Sequence, residues 1–398
     1  MLTDEKKAKV KEVMSAINKS KGKGTIALAT KHSGIRMVRQ RTGILSFDIL
    51  SGGGMVKNSM NLLYGKRSQG KSTLALHAIA EAQRRGEVCA YVYSEGVIDE
   101  NHLVSCGVNL DDLLLTLTNE SEEAVDVVQT LAQSRAVDYI VVDSGQGLIP
   151  KRILEVAAQQ HVGVEAYFIG QMTKKFTAAT TIKQMEAPWC TFTLISQGTE
   201  PHGGGLLYPK GGDIQQFFAV QMIEIAIGNG LTVSGTEISE HAKRVGHQMF
   251  FKFRKNKTFP PYKAGMVNYY IGETDFGCGR GDIDHIFDTV VCGVKYGVFT
   301  QGGAWISYTP KGPDGEPLEL VKYQGKPAFS NWLRSQTPEQ FKALRDEIYV
   351  AGLKQESAVV EQDSSFEAAT EGSTVDLENE AKAISKEKET PAPPKEKK

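Results

Sequence analysis

The sequence predicts an α/β fold with a mostly parallel central sheet and helices on both faces. Between residues 60 and 195, apolar strands alternate with helical stretches, which is the pattern of parallel α/β units. After Asp213, alternating runs over residues 220–227 and 248–254 predict antiparallel strands that extend the sheet. The length of 398 residues allows two or three domains and a substantial core.

Residues 1–33 are predicted to form an oligomerisation helix and a linker. Thr3 and Asp4 can cap the start of a helix over residues 3–19, and glycines follow it. Its apolar residues have the i, i+3, i+4, i+7 spacing of an amphipathic helix: Val10, Val13, Met14 and Ile17. This stripe needs an apolar cover. Either a neighbouring subunit or the chain's own core could supply that cover.

Residues 34–274 are predicted to form the core domain. The predicted parallel strands are Met60–Tyr64, Cys89–Tyr93, Leu114–Thr118, Tyr139–Val142 and Cys190–Ile195. The predicted helices between them are Lys71–Arg85, Glu122–Arg135 and a long one over Gly163–Met185. These elements would bring the strand ends, and the side chains that follow them, to one edge of the sheet.

Two further segments follow the core. Residues 275–352 contain Gly and Pro breaks and finish with a predicted helix over Pro338–Val350, which indicates a small C-terminal α/β domain. Residues 353–398 are rich in Ser, Ala, Glu and Lys and end in a Pro-rich stretch, so we expect a disordered tail of acidic and mixed charge.

Charge is distributed unevenly, although the net charge is only −1. Residues 1–41 carry eleven Lys/Arg and three Asp/Glu, whereas residues 356–380 carry eight acids and no base. This asymmetry suggests a nucleic-acid partner and an acidic tail. Even the apolar run at 217–227 contains Gln221 and Glu224, so we expect no membrane span. The N-terminus does not resemble a secretory signal, which predicts a cytoplasmic protein.

A phosphate-binding loop is the most specific motif. It lies between a predicted strand and a predicted helix, and consists of Gly65, Lys66, Arg67, Ser68, Gln69, Gly70, Lys71 and Ser72, with Thr73 next to it. Backbone N–H groups and the helix N-terminus would surround phosphate oxygens, and Lys71 would reach the β and γ oxygens. Ser72 is a candidate magnesium ligand, and Asp143 at the end of the fourth strand is a second one.

Other polar residues follow the strands at the same predicted edge. Glu95 is the candidate base for an attacking water, and the alternative is a solvated loop glutamate. Gln197 precedes a glycine-rich loop and could report on a γ-phosphate, or the loop could simply be flexible. Arg254, Lys255 and Lys257 belong to a basic run, which is either a solvated sheet edge or a source of cations for phosphate.

Together these motifs, in this order and spacing, resemble the RecA family of recombinases, and particularly its tailed-phage members. The resemblance covers roughly residues 1–350 and rests on segments 42–48, 65–72, 94–99, 137–144, 211–217, 255–257 and 303–305. It implies that the chain forms a helical filament on single-stranded DNA, pairs it with duplex DNA and exchanges strands. It also implies DNA-stimulated ATP hydrolysis with Mg²⁺, for DNA repair and recombination-dependent replication.

The resemblance also implies residue roles. ATP would lie between subunits, with Glu95 polarising water and Lys255 and Lys257 reaching in from the neighbour. Asp99 and His102 would contact adenine. Phe217 and the N-terminal helix would lie at the subunit interface. Gln197 would couple the γ-phosphate to the loop at 198–210, and this loop and another at 154–163 would face DNA.

The sequence departs from bacterial relatives at several of these positions. His102 stands where those relatives have tyrosine, and Tyr167 and Thr199 stand where they have DNA-contacting arginines. Asp213 and Gln216 replace Asn and Lys. The candidate DNA contacts are therefore Lys174, Lys175, His202, Gly203, Gly204, Gly205, Lys210, Gly211 and Gly212. The resemblance leaves single-strand-binding and loader proteins as possible partners, in a bacterial or phage-infected cell.

Two other functions are consistent with the motifs. A ring-shaped helicase motor could use the same core, but only about sixty residues precede the phosphate loop, and such rings usually carry a sizeable N-terminal domain. A filament-forming scaffold that binds ATP without hydrolysing it is the second alternative.

Overall fold

The computed structural model describes residues 3–23, 25–28, 37–151, 164–181, 188–200, 206–211, 213–237, 243–312 and 314–370. The chain divides into two compact units, residues 1–353 and 354–398. In the first unit, nine strands of the described residues form one sheet. No helix among the described residues is long and apolar enough to cross a membrane.

The elements of the core follow one another in the predicted alternation. The strands are β1 Arg39–Gln40, β2 Met55–Val56, β3 Met60–Gly65, β4 Cys89–Tyr93, β5 Leu113–Leu117, β6 Tyr139–Asp143, β7 Thr191–Thr199, β8 Tyr208–Pro209, β9 Gln221–Leu231, β10 Gly246–Asn256 and β11 Ala264–Tyr270. The helices are α1 Asp4–Lys21, α2 Leu45–Ser51, α3 Lys71–Arg84, α4 Glu100–Ser105, α5 Ser121–Ser134, α6 Val164–Ala179 and α7 Asp213–Phe218.

The large sheet has the order β11-β10-β9-β3-β7-β6-β4-β5, with β8 paired to the end of β7. Strands β9, β3, β7, β6, β4 and β5 are parallel, and β10 and β11 are antiparallel additions. Apolar residues on the two faces form separate core clusters, one around α3 and the other around α5 and α6. The predicted fold, a mostly parallel sheet with helices on both faces, is confirmed.

The residues after the sheet form helices and a small second sheet. The elements are α8 His285–Lys295, β12 Thr300–Gly302, β13 Trp305–Tyr308, β14 Val321–Gln324, α9 Lys326–Arg334 and α10 Pro338–Thr370. Their apolar side chains pack together with Leu45 and Ile49 of α2. Asp288 of α8 accepts hydrogen bonds from the backbone N–H groups of Leu45 and Ser46. The proposed boundary between domains at residue 275 stays a prediction.

Two helices end at other residues than predicted. Helix α10 continues to Thr370 instead of ending at Val350, because the Ala, Leu, Gln, Lys and Glu residues after Val350 are good helix formers. The disordered tail over residues 353–398 stays a prediction. Residues 371–398 of the predicted tail lie outside the described residues. Helix α6 ends at Ala179 instead of continuing to Met185. The hydroxyls of Thr180 and Thr181 bond back to the carbonyls of Phe176 and Thr177, and such bonds compete with helix geometry.

Candidate active site

The phosphate-binding loop joins the end of β3 to the start of α3. Gly70 caps the helix in the left-handed region, with φ of 84°, and a Cβ at this position would lie 2.6 Å from the sulfur of Met249. Only glycine fits this combination of backbone angle and close approach. The Lys71 ammonium donates to the Lys66 carbonyl at 2.7 Å, which holds the lysine against the loop. Helix α3 therefore begins directly after the loop, with the Lys71 side chain held beside the loop backbone.

Ser72 and Asp143 are brought together at the carboxyl edge of the sheet. The buried Asp143 carboxylate accepts a hydrogen bond from the Tyr91 hydroxyl at 2.6 Å, and the nearby Ser72 hydroxyl favours its charged form. Burial raises the pKa of Asp143, although the Ser72 and Tyr91 hydroxyls oppose this shift. Burial also lowers the pKa of Lys71, although the nearby Asp143 and Glu95 charges oppose that shift. A hydroxyl and a carboxylate are oxygen ligands suited to Mg²⁺, which usually takes its other ligands from phosphate and water.

Within the described residues, no group of three His, Cys, Asp or Glu residues could hold a metal ion. The candidate magnesium site is the pair Ser72 and Asp143 beside the phosphate loop, and its remaining ligands would come from nucleotide and water. This arrangement fits a cation that arrives with a nucleotide.

Glu95 lies in the loop after β4 and is exposed, but its carboxylate is held in place. The Ser144 hydroxyl donates to Glu95 Oε1 at 2.7 Å. Ser144 is itself fixed, because Ser94 Oγ donates to the Ser144 carbonyl at 2.6 Å and accepts from the Ser144 N–H at 3.0 Å. The structure thus places Glu95 directly beside the residue that follows Asp143.

A cavity of about 280 Å³ extends from the phosphate loop toward the predicted adenine contacts. It is lined by Ser68, Gln69, Gly70, Lys71, Ser72, Thr73, His102, His247, Tyr269 and Ile271. The rings of His247 and Tyr269 pack edge to face with centroids 5.1 Å apart. The cavity joins His102 and Thr73 to the phosphate loop, and its aromatic side chains are suited to a planar base.

Asp99 lies next to His102 and is paired with a residue that the sequence did not indicate. It caps α4 by accepting from the His102 N–H at 3.2 Å, and Arg280 donates to its other oxygen at 2.8 Å. The capping bond and Arg280 lower the pKa of Asp99, whereas burial and the Arg280 charge lower the pKa of His102. His102 lines the cavity, and Asp99 is joined to it through the capping bond.

Gln197 lies on β7 directly beside Gly65 of β3, at the same sheet edge as the phosphate loop. Gln146, which the sequence analysis missed, accepts from the Gln197 N–H at 2.8 Å and donates to Ser196 Oγ at 3.0 Å. Its amide also donates to the Lys210 carbonyl at 3.3 Å. Gln146 therefore joins the strand end beside Asp143 to both ends of the glycine-rich loop.

Lys66 of the phosphate loop provides a second connection to the glycine-rich loop. Its ammonium pairs with Glu200 at 2.5 Å, and both side chains are more than half exposed. An exposed pair of this kind contributes little to stability. It nevertheless places the beginning of the glycine-rich loop beside the phosphate loop.

Lys255 and Lys257 lie at the opposite edge of the sheet from the phosphate loop. Asn256 of β10 is paired with Gln221 of β9, which is paired in turn with Asn61 of β3. Asn61 precedes Gly65 by four residues, which is about 13 Å along β3. Lys255 donates to the Gln216 carbonyl at 2.5 Å, and Lys257 donates to the Phe217 carbonyl at 3.5 Å. Burial and the Lys257 charge lower the pKa of Lys255. These lysines are not brought together with Lys71 of their own chain.

The predicted interface residues are exposed in the single chain. Phe217 is 72% exposed beside Lys257, whose ammonium lies 5.8 Å from the centroid of its ring. None of the residues of α1 is buried, and Val10 and Val13 of the apolar stripe are 41% and 55% exposed. Met14 and Ile17 are half-buried. The core of the same chain therefore does not bury the stripe.

The candidate DNA contacts are only partly described. Lys174 and Lys210 are exposed, whereas Lys175 donates to Asp126 of α5 at 2.8 Å. Gly211 adopts φ of 99° and is half-buried. His202, Gly203, Gly204, Gly205 and Gly212, and the predicted loop at 154–163, lie outside the described residues. Tyr167 of α6 is 58% exposed, near the end of that loop.

Comparisons with known proteins agree with this geometry. The family model of the RecA N-terminal domain matches residues 8–274. The RecA protein of Azospirillum lipoferum is 32% identical over 90% of this chain and 93% of its own length. The RecA protein of Thermus thermophilus is 33% identical over 87% of this chain and 95% of its own length. The RecA protein of Campylobacter hominis is 31% identical over 78% of this chain and 85% of its own length. The chain belongs to the RecA family.

Proposed function

We propose that ATP binds between adjacent subunits of a helical filament of this chain on single-stranded DNA, and that each nucleotide site takes residues from two subunits. RecA family proteins are DNA-dependent ATPases that use ATP with Mg²⁺, form filaments and exchange DNA strands in recombination and repair. This chain is a DNA-dependent ATPase of that kind. The proposal concerns which of its residues perform each role.

The opposite positions of Lys71 and Lys255 carry the proposal. Lys71 begins α3 at the carboxyl edge of β3, whereas Lys255 and Lys257 lie near the beginning of that strand with exposed Phe217 beside them. One chain cannot bring both Lys71 and the pair Lys255 and Lys257 to the same transferred phosphate, because these lysines lie at opposite ends of β3. A repeating head-to-tail contact brings the two edges together, and it continues as a helical filament when the rotation between subunits does not close a ring.

The residues at the carboxyl edge have distinct proposed roles. The N–H groups of residues 65–73 and the Lys71 ammonium hold the phosphates, and Ser72 and Asp143 hold Mg²⁺. When bound, Mg²⁺ neutralises charge on the β- and γ-phosphate oxygens. Glu95, fixed by Ser144, accepts a proton from the attacking water. Asp99 and His102 bind the adenine end.

Gln197 is proposed to couple the nucleotide to DNA. Its position beside Gly65 and the bonds from Gln146 to Ser196 and Lys210 support this role. A change at the γ-phosphate would shift Gln197 and thereby the glycine-rich loop. We propose that residues 202–205 and 210–212 of that loop, with Lys174 and Lys175, contact the DNA backbone. Lys175 would exchange Asp126 for a DNA phosphate.

The apolar stripe of α1 is proposed to pack on a neighbouring subunit. Edge strand β5 also carries exposed apolar side chains, Leu114, Leu115 and Leu117, which are 47%, 43% and 57% exposed. Exposed apolar residues clustered on a sheet edge mark an interaction surface, and the α1 stripe has matching chemistry. Contact between the two would remove both surfaces from water.

A mixing experiment tests the shared site. Lys71→Ala removes the phosphate contact, and the double substitution Lys255→Ala and Lys257→Ala removes the proposed neighbour's cations. Each variant alone should be inactive in hydrolysis with homopolymeric single-stranded DNA. An equal mixture should recover about a quarter of the parent rate, because that fraction of random interfaces combines an intact loop with intact lysines. No recovery would contradict a site shared between subunits.

Electron microscopy of the same samples separates the alternatives. Continuous helical filaments together with DNA-stimulated hydrolysis support the recombinase. Closed rings would favour a helicase motor, and filaments without hydrolysis would favour a scaffold. Filaments with hydrolysis that DNA does not stimulate would contradict the proposed coupling through Gln197.

The tailed-phage subtype, the cellular location and the accessory partners are also proposals. His102, Tyr167, Thr199, Asp213 and Gln216, at positions where the resemblance implies other residues in bacterial members, support the subtype. We propose that the protein acts in the cytoplasm of a bacterium or a phage-infected bacterium, together with single-strand-binding and loader proteins. Capsid and tail genes beside its gene would support the subtype, and bacterial housekeeping genes there would contradict it.

A further inference from the structure

Tyr91 is a buried tyrosine at the centre of the site that the proposed function does not use. It lies in the middle of β4 and is 2% exposed, within the apolar cluster that also contains Leu74 and Ala75 of α3. Its hydroxyl donates to Asp143 Oδ2 at 2.6 Å. A hydrogen bond of this length to a carboxylate is a strong one, and a buried tyrosine hydroxyl needs such a partner.

The strand register explains how Tyr91 reaches Asp143. Tyr91 is paired with Val141 of β6, and Asp143 lies two residues further along the same face of the sheet. Diagonal neighbours of this kind are within reach of an aromatic side chain. Tyr93 follows on the same face, with its ring 5.9 Å from that of Tyr91, but its hydroxyl donates to the Val97 carbonyl. Tyr93 therefore does not hold Asp143.

Tyr91 is therefore the hydrogen-bond donor that holds the Asp143 carboxylate. The Ser72 hydroxyl lies close enough to favour the charged form of Asp143, and the Ser72 oxygen has lone pairs for a cation. Tyr91 donates to Oδ2 and fixes the rotation of the carboxylate. Partners behind a metal ligand orient that ligand and tune its affinity for the metal.

We propose that Tyr91 is a positioning residue for Mg²⁺, which aims the Asp143 carboxylate at the cation that accompanies ATP. This inference rests on the proposed role of Ser72 and Asp143. Without the hydroxyl, the carboxylate can rotate, and the nucleotide needs a higher Mg²⁺ concentration to bind. Tyr91 does not contact the phosphates in this role, so metal-free binding of nucleotide does not depend on it.

Tyr91→Phe tests this inference because it removes one oxygen atom and keeps the ring in the core. Binding of a fluorescent ATP analogue is measured in EDTA and at a series of free Mg²⁺ concentrations. The Mg²⁺ concentration at half-maximal effect should rise about tenfold, which corresponds to about 1.4 kcal/mol. Affinity in EDTA and at saturating Mg²⁺ should stay within about twofold of the parent. Rescue by excess Mg²⁺ is an effect that a purely structural role would not produce.

Tyr139→Phe is the matched control. Tyr139 is fully buried at the beginning of β6, and its hydroxyl shares a 3.0 Å hydrogen bond with Thr193 Oγ1, away from Asp143. Tyr139→Phe should leave the Mg²⁺ concentration at half-maximal effect unchanged, although this variant also loses a buried hydroxyl. Equal midpoints for Tyr91→Phe and the parent, or equal shifts in both variants, would overturn the inference. If nucleotide binding by the parent does not depend on Mg²⁺, that result would instead overturn the proposed metal site itself, and the inference with it.

Discussion

At the residue scale, Glu95 is an exposed glutamate whose carboxylate is held by a hydroxyl. Ser144 donates to Glu95 Oε1 at 2.7 Å, and Gln at this position retains an oxygen to accept that bond. We expect Glu95→Gln to lower kcat for ATP by about a hundredfold or more, with nucleotide affinity within about twofold, because an amide cannot accept the proton from water. Steady-state hydrolysis and a nucleotide titration measure the two quantities.

Glu100→Gln provides the control for that substitution. Glu100 begins α4, is exposed, and lies outside the proposed site. It should leave both kcat and nucleotide affinity unchanged. If Glu95→Gln also left kcat unchanged, Glu95 would be a solvated loop residue, and another group would have to activate water.

Gln146 connects the nucleotide edge to the glycine-rich loop through three hydrogen bonds. We expect Gln146→Ala to reduce the stimulation of hydrolysis by single-stranded DNA by about fivefold or more, while DNA-free hydrolysis stays within about twofold. The physical reason is that Ser196, Gln197 and Lys210 lose their common partner. Hydrolysis rates with and without DNA measure the effect.

Gln83→Ala is a suitable comparison for Gln146→Ala. The Gln83 amide also bonds to backbone groups, both of Asn109, but away from the site. Stimulation should stay unchanged in this variant. Equal losses in the two variants, or no loss in Gln146→Ala, would show that Gln146 does not transmit the effect of DNA.

Sequence reasoning found the residues that belong to a motif and missed those that depend on packing. The spacing within residues 65–72 predicts a phosphate loop, and a carboxylate after an apolar strand predicts Asp143 beside it. Tyr91 and Arg280 carry no such signal, because their roles depend on which strand pairs with β4 and where the loop at 279–282 packs. Gln146 offered a weak signal, as a polar residue just after Asp143.

At the element scale, α3 is joined to the loop before α8 by a buried histidine. His77 Nε2 is 2.8 Å from the Gly281 carbonyl, and burial lowers the pKa of His77 to about 4. An unfolded histidine has a pKa of about 6.5, so the unfolded chain binds more protons between these values. The free energy of unfolding therefore falls as pH decreases from about 6.5 to 4.

His77→Gln should remove this pH dependence, since the Gln amide can donate to the same carbonyl without titrating. Between pH 7.5 and pH 5, the parent should lose about 2 kcal/mol more unfolding free energy than the variant, as measured by urea denaturation. Buried Asp48, whose pKa is raised to about 6, has the opposite dependence and is present in both proteins. Equal losses in the two proteins would mean that His77 titrates normally.

The ends of elements were harder to predict than their presence. Strand β4 has the predicted bounds, because it is apolar throughout and buried in the sheet. Strand β7 continues to Thr199, beyond the predicted Ile195, because β8 pairs with its end. Apolar patterning cannot show that extension, since none of the added residues carries a large apolar side chain, and residues 197–199 are only half-buried.

At the scale of the whole molecule, assembly is where the sequence alone left alternatives open. Periodicity predicted that α1 carries an apolar stripe, but it could not decide what covers that stripe. In the structure none of the residues of α1 is buried, so a cover must come from outside the described core. The positions of Lys71 and Lys255 at opposite edges of one sheet could not be predicted from the sequence either, because they depend on the strand register.

The acidic segment 356–380 is expected to compete with DNA for basic surfaces. It carries eight acids and no base, and it belongs to the second compact unit, residues 354–398. Deletion of residues 354–398 should strengthen duplex DNA binding severalfold at low salt, and the difference should disappear at about 1 M salt because charges are then screened within about 3 Å. Fluorescence anisotropy with a labelled duplex measures the affinity. A full-length variant with Asn or Gln at the eight acidic positions separates charge from chain length. This variant should bind duplex DNA as tightly as the deletion variant. If both variants bound with the same affinity as the parent, electrostatic competition by the tail would be contradicted.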